Sequence, residues 1–111
     1  AREDLKEPSI EYLLGLDDAA FRTFFSGSPV KRIGRDRFIR NVLIAAGNSN
    51  DRRFVEQCRK LSEDPSPVVR GMAIWALSRL LEAGEFSAFA AQRPDESDSD
   101  VLSEWRLAGA V

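Results

Sequence analysis

The chain of 111 residues contains no histidine, one cysteine and one methionine. Without histidine there can be no imidazole general base, no Ser-His-Asp or Cys-His constellation and no histidine metal site. A single cysteine, Cys58, excludes an internal disulfide and any multi-thiolate metal cage. It lies in FVEQCRKL, where Phe54, Val55, Cys58 and Leu61 recur at helical spacing. Cys58 is therefore expected to be a buried structural thiol. No apolar run approaches the length of a membrane span, and no basic-apolar-small leader opens the chain. The expectation is a cytoplasmic globular domain with no membrane partner. The chain opens on Ala1 and its methionine is Met72, so it is read as trimmed by one residue or cut from something larger.

Strictly alternating stretches and Asn-Gly hairpin signals are also missing, whereas apolar spacings of three and four recur throughout. These patterns predict an all-α fold with helices over about 9–15, 17–26, 35–47, 51–62, 66–82, 85–92 and 98–108. Ser9, Asp17 and the Ser66-Pro67 pair are the expected helix starts, and Gly47–Asn50 and Glu63–Pro65 the expected breaks. Short links of this kind favour antiparallel helix pairs. With 43% hydrophobic and 31% charged residues, the length suits one soluble domain with one core.

An internal repeat organises the helices. Setting FIRNVLIAAGNS (38–49) against VVRGMAIWALSR (68–79) pairs Arg40 with Arg70, Ile44 with Ile74 and Ala46 with Ala76. Phe38/Val68, Ile39/Val69 and Val42/Met72 keep apolar character. A weaker third copy starts near Val101 and Leu102, after an acidic turn. Helix pairs repeating at this interval resemble HEAT repeats, which bury their apolar faces by stacking on neighbours. The expected organisation is a single domain, 1–111, built as a short HEAT-like α-solenoid: N-terminal helices 9–26, repeat 1 at 35–62, repeat 2 at 66–92 and a partial third repeat at 98–111.

The net charge of -2 hides a strong asymmetry. Residues 22–60 carry +7 and the remainder -9, with Lys31, Arg32, Arg35, Arg37 and Arg40 crowded into SPVKRIGRDRFIRN. A cation at a helix N-terminus opposes the macrodipole by about 0.3–1 kcal/mol. Helix stability alone would not select this arrangement, whereas an anionic partner would gain from the side chains and from the first-turn N–H groups. Lys31, Arg32, Arg35 and Arg37, with Arg40 beside them, are thus the candidate nucleic-acid contacts, phosphate backbone being the commonest partner of such a patch. A solvated basic face is the competing reading, as is a structural role for Arg40 and Arg70 in holding neighbouring repeats; Arg70 reads as structural. Phe38, Trp75 and Trp105 read as core, and base stacking is not suggested. Neither a Walker loop nor a dinucleotide fingerprint is present. The run Asp95–Asp100 lacks the glycine and terminal glutamate of a calcium loop and reads as a solvated link with a helix cap. No catalytic residue and no metal ligand emerges.

Several motifs add a family resemblance. The run Phe25–Arg35 (FSGSPVKRIGR), the Arg40-Asn41 pair, Gly47-Asn48-Ser49 and the turn Asp64–Gly71 (DPSPVVRG) span about two-thirds of the chain. Together they resemble the C-terminal HEAT-like region of bacterial epoxyqueuosine reductases. The resemblance implies a parent enzyme, an oxidoreductase of queuosine biosynthesis that reduces epoxyqueuosine in tRNA with cobalamin and two [4Fe–4S] clusters. It places the chemistry in preceding catalytic and ferredoxin-like domains, which would be partners of this segment, and leaves this segment without activity or cofactor of its own. It further implies that Lys31, Arg32, Arg35 and Arg37 face the tRNA backbone. The alternative from another class is a HEAT-like protein-interaction scaffold with a basic face.

Overall fold

A computed structural model describes residues 9–109. Among these residues the regular structure is entirely helical: α1 (Ile10–Leu14), α2 (Asp18–Phe24), α3 (Arg35–Gly47), α4 (Val55–Leu61), α5 (Pro67–Leu80), α6 (Ala83–Ala91) and α7 (Ser99–Leu107). Two 3-10 turns, Pro29–Ile33 and Arg52–Phe54, lead into α3 and α4. The all-α expectation holds. The last residues of the expected third repeat, 110 and 111, lie outside the described part.

Local chemistry sets the helix ends. The Tyr12 N–H donates to Ser9 Oγ at 3.1 Å and the Ala20 N–H to Asp17 Oδ1 at 2.8 Å, while Asp98 receives the N–H groups of Asp100 and Val101. Each interaction satisfies a first-turn donor that the helix itself leaves unpaired. Pro67 opens α5, where its missing N–H costs nothing. Helix α6 starts at Ala83, two residues before its expected start. The Glu82 N–H donates to Glu85 Oε1 at 2.9 Å, and this capping contact between two like residues lengthens the helix.

The odd-numbered helices form a row: α1 packs on α3, α3 on α5 and α5 on α7. Helix α2 touches α3, and α4 and α6 both lie on α5. The molecule is accordingly extended, 46 × 28 × 17 Å. Helix α5 is central, and its near-continuous apolar sequence has a plain cause. Val69, Ala73, Ile74, Ala76 and Leu77 are all buried, on several sides of the helix at once. They meet Ile39, Leu43 and Ala46 of α3, Cys58 and Leu61 of α4, and Val101 and Trp105 of α7 in one core. Each large side chain enclosed there contributes about 1.5–3 kcal/mol. At the N-terminal end the rings of Phe21, Phe25 and Phe38 contact one another at 4.9–5.4 Å between centroids. Phe38 is thereby occupied in packing, as the sequence suggests.

Helices α3 and α5 run in the same direction. Arg35, at the start of α3, meets Asp64 just before α5, while Gly47 and Asn48 at the other end meet Trp75 and Arg79. The two tryptophans, both expected in the core, have separate fates. Trp105 is buried, but Trp75 is only half-buried, because it lies on the α5 stripe Val68–Met72–Trp75–Arg79, which borders the C-terminal end of α3 at the edge of the core.

Candidate nucleic-acid interface

The five cations singled out in the sequence divide into two kinds. Lys31 and Arg32 project from the exposed 3-10 turn that packs on α3, and Arg37 from the first turn of that helix. Among the described residues no carboxylate lies within ion-pair distance of any of these three. Gly34 joins the turn to the helix at φ +83°, a conformation that L side chains resist, so the KRIGR run can bend sharply there.

Arg35 is committed elsewhere. Its side chain is only 14% exposed; Nη2 lies 3.0 Å from Asp64 Oδ1, Nη1 donates to Asp64 Oδ2 and to Asp36, and Nε donates to the Leu16 carbonyl at 3.0 Å. The macrodipole argument therefore has a different answer at this position. The cation at the head of α3 is neutralised by two carboxylates, and folding does select it. It borders a small cleft of about 430 Å³ with Asp17, Asp18, Asp36 and Asp64, a setting that repels anions.

Arg70 repeats the device one unit later. Its guanidinium donates in two parallel bonds to Glu96, at 2.9 and 2.8 Å, and to the carbonyls of Asp64 and Pro65. Asp64 also accepts from the Ser66 N–H, and Glu96 from the Asp98 N–H, both at 3.0 Å. Each carboxylate thus pins the turn before the next odd helix and receives an arginine from the preceding one. The structural counterpart of Arg70 is therefore Arg35, although sequence alignment pairs it with Arg40.

That exchange leaves Arg40 with little internal bonding. Its guanidinium makes one 3.3 Å contact, to Asn41 Oδ1, and its buried Nε has no acceptor. Because Nε is closed to solvent, an acceptor outside the chain would meet the terminal Nη groups alone. Lys31, Arg32, Arg37 and Arg40 together form the cationic end of α3, with Arg35 behind them as a structural clamp.

Of the other basic residues of the +7 region, Arg22, Arg52 and Arg53 are paired with carboxylates, whereas Arg59 and Lys60 have none within ion-pair distance among the described residues. Arg52 pairs with both Glu85 oxygens at 2.9 and 2.7 Å, and Arg53 pairs with Asp51 at 2.7 Å. The Arg52 guanidinium holds the Glu85 carboxyl down at about 2. Arg59 lies over the Phe89 ring. A cleft of about 810 Å³ beside α4, α6 and the 92–97 segment mixes Arg59, Lys60 and Arg93 with Glu56, Glu63 and Asp95. Its charges offset one another and do not select an anion.

Cluster chemistry does not fit the residues present. A [4Fe–4S] cluster requires several thiolates, and the chain has one cysteine. Burial pushes the Cys58 thiol up to about 12, so it remains a protonated core side chain. Among the described residues no three His, Cys, Asp or Glu side chains converge to hold a metal. No helix there is long and apolar enough to cross a membrane.

No family model and no solved structure matches the chain. Among curated proteins it is similar to epoxyqueuosine reductase of Xanthomonas campestris, 34% identical over 82 residues, covering 71% of this chain and 22% of that protein. Epoxyqueuosine reductase of Listeria monocytogenes is 29% identical over 99 residues, covering 88% of this chain and 26% of its own length. An uncharacterized protein of Geobacillus stearothermophilus, from the gldA 3' region, is 26% identical over 102 residues, 91% of this chain and 47% of its own. The chain spans about a quarter of the length of the reductases it matches. Over that segment, the chain is similar to one part of the bacterial epoxyqueuosine reductases.

Proposed function

We propose that the chain is a HEAT-like tRNA-binding module of an epoxyqueuosine-reductase-like protein that acts in cytoplasmic queuosine modification. In this reading it contributes no catalytic group, and cobalamin and iron–sulfur chemistry belong to catalytic and ferredoxin-like domains elsewhere in the protein. The row α1–α3–α5–α7, tied by two equivalent arginine–carboxylate clamps, supports the HEAT-like description. The observation that carries the RNA reading is the division among the cations. Arg35 is consumed by the fold, while Lys31, Arg32, Arg37 and Arg40 at the same end of α3 have no carboxylate partner among the described residues. Such a cluster suits phosphates, which reward charge without demanding base identity.

The test is a salt series of binding to a tRNA with a queuosine-type anticodon. Replacing Lys31, Arg32, Arg37 and Arg40 together with Ala should flatten the dependence of log K on log salt by about three units, since each phosphate contact contributes about 0.7–0.9. Failure of the unaltered chain to bind RNA at low salt would sink the reading and favour a protein partner for the basic face.

A further inference from the structure

The basic end of α3 continues into a second feature that sequence reading assigned to the core. Gly47 is the last residue of α3, and a Cβ built on it would lie 2.5 Å from Cζ3 and 3.1 Å from Cε3 of Trp75. The benzo edge of the indole thus occupies the space of the missing side chain. This seats the ring against α3 at a fixed angle while leaving Trp75 half-buried. Arg79 lies over the ring, 5.8 Å from its centroid. The Arg79 guanidinium is otherwise held by one 3.5 Å contact to Asn48 Oδ1, and among the described residues it has no ion-pair partner.

The exposed face of α3 connects this aromatic site with the cations. Arg37, Asn41, Ile44 and Asn48 follow at i, i+4, i+7 and i+11, all exposed, so they form one stripe along the helix. Arg40 and Gly47, seven residues apart, lie along the side that faces α5. From Arg37 to Asn48 the stripe extends about 16 Å. One end offers cations, the middle an amide and an aliphatic side chain, and the other end an indole with a loosely held arginine. A rigid aromatic in line with free cations is the arrangement by which proteins hold unpaired nucleotides, with charge on the backbone and a ring beneath a base. A folded duplex, whose bases are stacked inside, would make no use of the indole.

We propose that the α3–α5 face binds a single-stranded stretch of RNA, with phosphates at Arg37 and Arg40 and one unstacked base on Trp75, Arg79 closing over it or taking its phosphate. The proposal rests on the RNA reading above and adds what that reading lacks: the RNA is unpaired where it crosses this face. Gly47 is the positioning residue, because a side chain there would displace the ring.

The experiment is a pair of titrations of the chain, one with a short oligouridylate and one with polyphosphate of matched charge, followed by tryptophan emission and by a direct binding measurement. Trp105 is 3% exposed, so changes on binding report Trp75. The oligouridylate should quench emission and the polyphosphate should not. Trp75→Leu should weaken oligouridylate binding about tenfold, the range of one base–aromatic stack, and leave polyphosphate binding unchanged; Trp75→Phe should retain most of the affinity. If both ligands bind without differential quenching, base stacking is overturned while the RNA reading stands. If neither ligand binds at low salt, both fall. The differential quenching in the unaltered chain decides the matter even if the Leu variant fails to fold.

Discussion

Arg35 and Asp64, 29 positions apart, are joined by two contacts of 3.0 Å at a place where their side chains are only 14% and 9% exposed. The pair ties the head of α3 to the turn before α5, so that the two helices start in register. Opposite charges this enclosed stabilise when both are present and cost heavily when one is removed, because the survivor is left desolvated.

Asp64→Ala or Arg35→Met should therefore each destabilise the chain by about 3 kcal/mol. The double variant Arg35→Met/Asp64→Ala should lose less than the sum, with a coupling of about 1–3 kcal/mol. Urea unfolding of the four proteins checks this. Strict additivity would show that the pair makes no shared contribution.

The clamps also imply a pH dependence. Hydrogen bonds from Arg52 and Arg70 hold Glu85 at about 2 and Glu96 below its ordinary 4.5. A depressed carboxyl binds its proton less readily in the folded than in the unfolded chain. Its stabilising effect is thus complete above about 4.5 and is lost as pH falls toward 2. The urea midpoint should decline across that window. Glu85→Gln and Glu96→Gln should each flatten the decline and lower the midpoint at neutral pH, Glu85→Gln less because its pair is more exposed. Profiles parallel to that of the unaltered chain would refute the assignment.

Gly47→Ala sets two effects against each other. Alanine favours the helical state by about 1 kcal/mol over glycine, but its methyl would strike the Trp75 ring at 2.5 Å and the Ala76 Cα at 3.1 Å. The ring can tilt, whereas the α5 backbone cannot yield without moving the core. Overpacking of this kind costs about 1–3 kcal/mol. The expected result is a net loss of stability with a shift in Trp75 emission. Stabilisation would mean that the contact is slack.

Much of the helical layout was legible beforehand, because each helix announces itself locally. Apolar residues recur at three and four, Ser9 and Asp17 supply acceptors for first-turn donors, and Pro67 and Asp98 mark starts. The start of α6 was misplaced by two residues because a glutamate at the cap position is a weak signal, and its reciprocity with Glu85 appears only once the turn has formed. The basic cluster was equally visible as composition. Which of its members remain available was not.

The amino-acid sequence by itself determined the helical class, the similarity to one part of the epoxyqueuosine reductases and the concentration of positive charge between residues 22 and 60, since these depend on residue types and near-neighbour spacing. Tertiary structure decided that Arg35, not Arg40, is the counterpart of Arg70, and that Trp75 reaches the surface while Trp105 does not. Both outcomes turn on partners far away in the chain: Asp64 for Arg35, and Gly47 for Trp75. A guanidinium is free or spent according to the carboxylate that folding brings beside it, and periodicity within one helix carries no record of that distance.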